Sequence, residues 1–272
     1  MKKYGFIVLL LLGLSWAAVR AQQAPAVPSP PVRIGPLRLE KISFSKASGH
    51  CDDGSCVTAR INSLKVVSAE NAQAGAKITA AIAGWVLPID GVEGLARNPQ
   101  EVLLQFVDSY WKWRQKEQET YPTYFFPWKL VRTVKVEYQS AQVLSLSFVA
   151  SNYTGGVHPQ TGLTYANFRP ATGERIFLTD IFNEGFAAPL NALGEIRFRK
   201  LKGLSPVMSV EAAGFWFPHE QFELNKNFSI GDDGLTFYFN DYEIASYTDG
   251  PTRLLLPYAD IQTLLRPDAG IP

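Results

Sequence analysis

From Leu37 onward the apolar positions recur every second residue over short runs and at helical spacing over longer ones. Leu37, Leu39, Ile42 and Phe44 mark one or two strands over 37–45, and Val57, Ile61, Leu64 and Val66 continue over 56–67. The small-residue run 76–86 fits strand or helix equally, because its apolar positions follow neither period alone. The clearest helix follows. Asn98 suits its cap, Pro99 its first turn and Glu101 the third position, and Leu103, Phe106, Val107, Tyr110 and Trp113 then share one face. Trp111 and Arg114 fall off that face. Strand faces return at Leu130, Val134, Val136 and Tyr138, and again at Leu144, Leu146 and Phe148. Shorter strands are expected over 164–168 and 175–178, completing an antiparallel meander.

In the last third, Thr179 or Asp180 caps a helical turn at Ile181-Phe182, and a helix with a basic last turn spans 188–202. Asp233-Gly234 joins 228–230 to 235–239 as a hairpin, followed by a strand over 252–256 and a closing helix over 259–265. Mixed strands and segregated helices give an α+β class, two-lobed, with mainly antiparallel sheets and helices packed on them. The expected lobes are 37–150 and 151–266, with a tail over 267–272.

The start of the chain changes the setting. Lys2 and Lys3 precede an apolar run from Phe6 to Val19, and Val19-Arg20-Ala21 offers a cleavage site, so 1–21 reads as a signal peptide. The run is shorter than a spanning helix needs, and no stable membrane span is expected after cleavage. Residues 22–36, rich in Pro, Ala and Ser, form an extended linker. The chain carries a formal charge of +1, and removing the leader takes it to −2. Such a balance argues against nucleic acid as a partner. A periplasmic or secreted protein is expected.

Only two cysteines occur, Cys51 and Cys56. Outside the cytosol they suit a disulfide closing a hairpin. The rival is a metal site using His50, Cys51, Asp52 or Asp53, and Cys56. Zinc ordinarily needs four ligands at wider, paired spacing, so no metal site and no cofactor is assigned.

The stretch 151–159 is the best candidate site. Gly155 and Gly156 allow positive φ, and Pro159 stiffens the exit, so the turn sets Tyr153 beside His158. Two aromatic segments, Tyr121 to Trp128 and Phe215 to His219, suit either docking surfaces or rings folded beneath turns. No Gly-x-Ser-x-Gly elbow, His-Glu-x-x-His helix or phosphate loop is present, so no catalytic residue is assigned. An enzyme reading would draw on Tyr153 and His158 with Glu243 or Asp180.

Six motifs in order carry a family resemblance. They are Tyr153-Thr154-Gly155-Gly156-Val157-His158; Asn167-Phe168 with Thr172-Gly173-Glu174; Leu178-Thr179-Asp180-Ile181-Phe182; Asp233-Gly234-Leu235-Thr236-Phe237; Tyr242-Glu243-Ile244-Ala245-Ser246-Tyr247 with Gly250; and Leu256-Pro257-Tyr258. In these the second half resembles the bacterial exported DUF3298 domains, and the first half is similar to their DUF4163 companion. Relatives in that family include a lysozyme-sensing anti-sigma factor and the accessory region of a peptidoglycan deacetylase. Val157 stands where alanine is usual, and Asp241 where proline is common. The resemblance implies an exported module without catalysis of its own. Five residues ahead of Phe6 leave no cytoplasmic segment, so an anti-sigma role is not expected.

The expected function is therefore a non-catalytic cell-envelope binding module, its ligand a lysozyme-like protein or peptidoglycan. Tyr153, Thr154, Gly155, Gly156, His158, Tyr242, Glu243 and Tyr247 are the candidate binding residues. Asp232, Asp233, Asp241 and Glu243 would steer a cationic partner. The alternatives are an enzyme acting on cell-wall glycan and a purely structural envelope protein, in which the same motifs only code the fold.

Overall fold

A computed structural model describes residues 37–69, 71–89, 96–120 and 126–272. The expected leader, the linker and most of the first aromatic segment lie outside the described residues. The architecture is α+β, with a six-stranded mixed sheet, a three-stranded antiparallel sheet and helices on both.

Strands β1 (Arg38–His50) and β2 (Ser55–Ser68) form a long antiparallel hairpin. Its tip is a 3₁₀ turn, Cys51–Asp53, closed by the Cys51–Cys56 disulfide. Both sulfurs are thus committed to each other, which leaves no thiolate for the rival metal site. Among the described residues no group of three or more His, Cys, Asp or Glu side chains is placed to hold a metal ion. The ladder pairs His50 with Ser55 and Gly49 with Cys56 beside the bond, so the disulfide closes a loop that the strands already hold. Loop-closure entropy for so small a ring is about 2 kcal/mol. Reduction should therefore lower stability by at most about 2 kcal/mol in a denaturant titration, and leave ligand binding unchanged.

Helix α1 (Ala72–Val86) settles the ambiguous small-residue run. Asn71 caps it, its side-chain oxygen accepting from the amides of Gln73 (2.9 Å) and Ala74 (3.4 Å). Ala74, Ile78, Ile82 and Val86 form its buried stripe. Helix α2 (Pro99–Thr120) begins as expected, with Asn98 accepting from the Glu101 amide at 3.0 Å. Its buried face runs Val102, Leu103, Phe106, Val107, Tyr110 and Arg114. Arg114 lies one turn beyond Tyr110 and so stays on the apolar face, whereas Trp113 is only half-buried.

The chain then enters β3 (Trp128–Gln139), parallel to β2, and continues antiparallel through β4 (Leu144–Tyr153), β5 (Gln160–Phe168) and the two-residue β6 (Arg175–Ile176). The division expected between residues 150 and 151 falls inside β4, where Ala150 and Ser151 both pair across the same ladder. Side-chain alternation gives the sheet two different faces. Leu144, Leu146, Ala166 and Phe168 join the core under α1 and α2. Ser145, Ser147, Tyr165 and Asn167 point the other way and are nonetheless buried.

What buries them is the second layer. Helix α3 (Leu178–Ile181), helix α4 (Ala187–Lys202), strands β7 (Phe228–Ile230), β8 (Gly234–Phe239) and β9 (Thr252–Pro257), and helix α5 (Tyr258–Ile261) enclose a second core around Phe198, Phe237 and Leu256. The cap of α3 differs from expectation. Phe177 occupies the cap position, and Asp180 reaches back to accept from its amide at 2.7 Å. Phe215 and Phe217 pack against Phe198, whereas Trp216, Pro218 and His219 of that segment are exposed.

The two layers meet through polar side chains. Asn167 Oδ1 accepts from Ile230 N (3.0 Å) and its Nδ2 donates to Phe228 O (2.9 Å), while the Ser145 hydroxyl lies 2.7 Å from both Asn167 Oδ1 and Ile230 O. Beyond the reach of the short β6, the free edge of β5 is satisfied by two further asparagines. Asn227 accepts from Tyr165 N and donates to Leu163 O, and Asn240 accepts from Leu163 N at 2.6 Å. Buried backbone groups need partners, and here asparagine amides stand in for a missing strand.

Candidate functional site

Asn240 also positions the site, because it follows β8, is bonded to Leu163 of β5 and stands two residues before Tyr242. In that turn Gly155 and Gly156 take φ of 104° and 108°. A Cβ on Gly155 would sit 2.1 Å from the Phe126 ring, so glycine is required by space as well as by conformation. Phe126 in turn packs on Trp113 (5.0 Å between centroids), and Trp113 on Trp128 (5.2 Å). The described end of the first aromatic segment thus lies beneath the turn and supports it.

Tyr153 donates its hydroxyl proton to Gly156 O at 3.0 Å, bracing the turn from within. His158 Nδ1 lies 3.0 Å from Pro159 O, an acceptor, which requires the proton on Nδ1. Its Nε2 then accepts from the Tyr242 hydroxyl at 3.2 Å. The imidazole stacks on Tyr247, with centroids 3.8 Å apart and planes 9° from parallel, and Tyr242 lies 5.6 Å from Tyr247. Three of the candidate residues therefore form one aromatic cluster, with His158 84 positions before Tyr242 in the sequence.

Tyr242 has φ of 63°, a left-handed conformation that a bulky residue rarely adopts. Tyr242 is 57% exposed, Tyr247 38% and Val157 at the turn tip 99%. The loop holds this geometry through Glu243, whose carboxylate accepts from Asn240 N (2.8 Å) and Asn225 Nδ2 (2.6 Å). Beyond it Ile244 and Ala245 are buried in the second core. Ser246 then donates to Asp249 within the 3₁₀ turn that carries Tyr247. Behind the cluster, burial pushes the phenols of Tyr165 and Tyr238 up, which keeps both neutral.

The structure separates the candidate residues by role. His158, Tyr242 and Tyr247 form the surface; Tyr153, Gly155 and Gly156 shape the turn; Glu243 braces the loop; Thr154 is exposed beside them. Asp180 is engaged at the α3 cap and Glu243 within its own loop, so neither carboxylate of the enzyme reading is hydrogen-bonded to His158. Sequence reasoning missed Asn225, Asn227 and Asn240. Their signal is the spacing of three asparagines flanking a hairpin, which by itself reads only as turn chemistry.

Two family models match the chain. Residues 51–161 match Deacetylase PdaC, and residues 179–259 match a protein of unknown function, DUF3298. The turn motif 153–158, which sequence reasoning grouped with the C-terminal half, lies in the first match, while Tyr242 and Tyr247 lie in the second. No curated protein sequence matches. Among solved structures, a DUF3298 family member from Bacteroides fragilis aligns with a TM-score of 0.70 at 20% identity, over 87% of this chain and 97% of that one. A DUF3298 family protein from Pseudomonas aeruginosa PAO1 aligns with a TM-score of 0.65 at 17% identity over the same shares. Residues 179–259 thus match the DUF3298 family model, and the chain has the fold of these two structures.

Proposed function

We propose that the protein is a cell-wall-associated accessory module that binds the glycan strands of peptidoglycan on the surface formed by His158, Tyr242 and Tyr247. The observation that carries this reading is the exposed Tyr242, held in a strained backbone conformation and hydrogen-bonded to a histidine contributed by the other matched region. Strain of this kind costs about 1–3 kcal/mol and clusters where a side chain must be presented in one orientation. A stacked ring pair with polar edges offers a flat apolar face for the C–H side of a pyranose and hydrogen-bonding groups for its hydroxyls. The PdaC match over 51–161, which includes His158, supports a cell-wall context, as does the Cys51–Cys56 disulfide for an exported chain.

The binding is non-catalytic in this reading. His158 spends Nδ1 on a carbonyl and Nε2 on a phenol, an arrangement that orients a ring rather than one that moves a proton onto substrate. A chicken-type lysozyme is the competing ligand. Co-sedimentation of residues 31–272 with insoluble peptidoglycan, beside a titration with lysozyme at moderate salt, tests the choice. Saturable sedimentation that soluble glycan fragments compete away supports the proposal. Salt-resistant lysozyme binding without sedimentation replaces it, and lysozyme binding lost with salt reports only opposite charges.

A further inference from the structure

A second surface, independent of the aromatic cluster, is the outer edge of β1. Among the described residues β1 ends the six-stranded sheet, and β6 ends it on the other side. From Leu39 to His50 it pairs with β2 without a register shift, so its outward backbone groups run as an uninterrupted row. Natural sheets blunt an edge this long with short strands, bulges or covering elements. Here the only register shift lies between Arg38 and Leu39, at the very start of the strand. The charges on the edge are Arg38, Glu40, Lys41 and Lys46, with Ile42 and Phe44 half-buried between them.

We infer that β1 is a homodimerisation edge, pairing antiparallel with β1 of a second copy about a two-fold axis at Ser43. The argument is charge complementarity. A two-fold axis normal to the sheet keeps each face on its own side, so facing residues must share parity along the strand. With the axis at Ser43, Glu40 of one copy faces Lys46 of the other, and the symmetric contact repeats it. Ile42 faces Phe44 twice, and Lys41 faces Ser45. Neighbouring registers lose this match. An axis at Phe44 sets Lys46 against Ile42, and an axis at Ile42 sets Lys46 against Arg38, a like-charge pair.

The even-numbered side chains that meet, Glu40 with Lys46 and Ile42 with Phe44, lie on the helix-covered face. Phe44 pairs with Ile61 and Lys46 with Ala59 across the β1–β2 ladder, and both of those partners are buried beneath the helices. Dimerisation would therefore extend the existing core by covering the exposed parts of Ile42 and Phe44. It would also draw Glu40 from its local pair with Arg38, a 2.5 Å contact between two exposed side chains, into a contact across the interface. Lysine on an edge normally opposes pairing with other chains. In this register the two lysines instead select the partner, because only a strand with glutamate at the matching position satisfies Lys46.

Sedimentation velocity on residues 31–272, which form one compact unit, tests the inference. A monomer–dimer equilibrium is expected. Glu40→Lys and Lys46→Glu should each weaken it about tenfold, since two symmetric contacts turn from attractive to repulsive. The double swap Glu40→Lys with Lys46→Glu should restore it. Both sites are exposed, so the melting temperature of the monomer should not move. A Ser43→Cys variant places two thiols at the axis and should form a reducible covalent dimer. A strictly monomeric protein at all concentrations overturns the inference, and so does a dimer that the double swap fails to restore.

Discussion

Replacing Tyr242 by glycine should weaken glycan binding at least about tenfold while leaving the melting temperature within a few degrees of the parent. Two terms of similar size oppose each other in the folded state. At φ of 63° tyrosine pays a backbone strain that glycine does not, about 1–3 kcal/mol. Against this, the variant loses the contacts with Tyr247 and His158, aromatic pairs worth about 0.5–1.5 kcal/mol each. Stability is therefore nearly unchanged. Binding has no such compensation, because the most exposed ring of the surface is gone, and truncating a central aromatic contact typically costs about 2 kcal/mol or more. A loss of at least about tenfold in affinity follows. His158→Ala should weaken binding similarly, since Tyr242 then loses its acceptor and Tyr247 its stacking partner. A purely structural cluster makes the opposite forecast. Tyr247→Ala and His158→Ala would then lower the melting temperature, and no glycan would bind the parent.

The largest stability effect is expected away from the site, at Asn167. This residue is 1% exposed and joins the layers through Ile230 N, Phe228 O and the Ser145 hydroxyl. Asn167→Ala strands Phe228 O without its donor and weakens the bond to Ile230 N, which keeps only the Ser145 oxygen at 3.2 Å. Buried groups left unpaired cost about 1–3 kcal/mol each, so a loss of about 3 kcal/mol is expected. That corresponds to roughly 6–12 °C in melting temperature for a domain of this size. Asn167→Asp should be worse at neutral pH, because it buries a charge and sets a carboxylate oxygen against a carbonyl. The sign of its pH dependence is determined. Burial raises the folded-state pKa of such an acid, so the folded protein binds more protons than the unfolded one and stability falls as pH rises. The variant should regain part of its stability on acidification toward pH ~4, the unfolded value for aspartate. Thermal melts of both variants across pH provide the check.

Much of this fold is legible in the sequence, and the reasons are local. Helix α2 announces itself through Asn98, Pro99 and Glu101 ahead of a regular apolar stripe. The β7–β8 hairpin follows from Asp233-Gly234, and Gly234 indeed has a backbone carbonyl, Leu256 O, 2.1 Å from where a Cβ would stand. Helix α1 was ambiguous because alanine and glycine carry little periodic contrast, and the side-chain cap at Asn71 decides it. The parallel pairing of β2 with β3 was not legible, since it depends on how α1 and α2 cross the sheet rather than on either strand. Nor was the buried polar face of β4 and β5. Ser145, Ser147 and Asn167 read as solvent-facing alternation, and only the second layer shows them to be a joint.

The site was half legible for the same reason. Glycine, proline and histidine identify the 151–159 turn, and Tyr242 and Tyr247 stand out within their own motif. That the two converge depends on Asn240 tying β8 to Leu163, a long-range bond that no local pattern encodes. Glu243, a steering or acid–base candidate in the sequence, accepts from Asn240 and Asn225 within its own loop, a contact that the sequence did not announce. The cysteine pair shows the complementary case, where compartment and spacing alone led to the disulfide.

The most direct test of the central claim is an NMR titration of residues 31–272 with soluble glycan fragments released from peptidoglycan, following the imidazole of His158 and the rings of Tyr242 and Tyr247. The account predicts saturable, coincident shifts at these three side chains that disappear in Tyr242→Gly. Shifts confined to other surfaces, or none at saturating fragment, would contradict it.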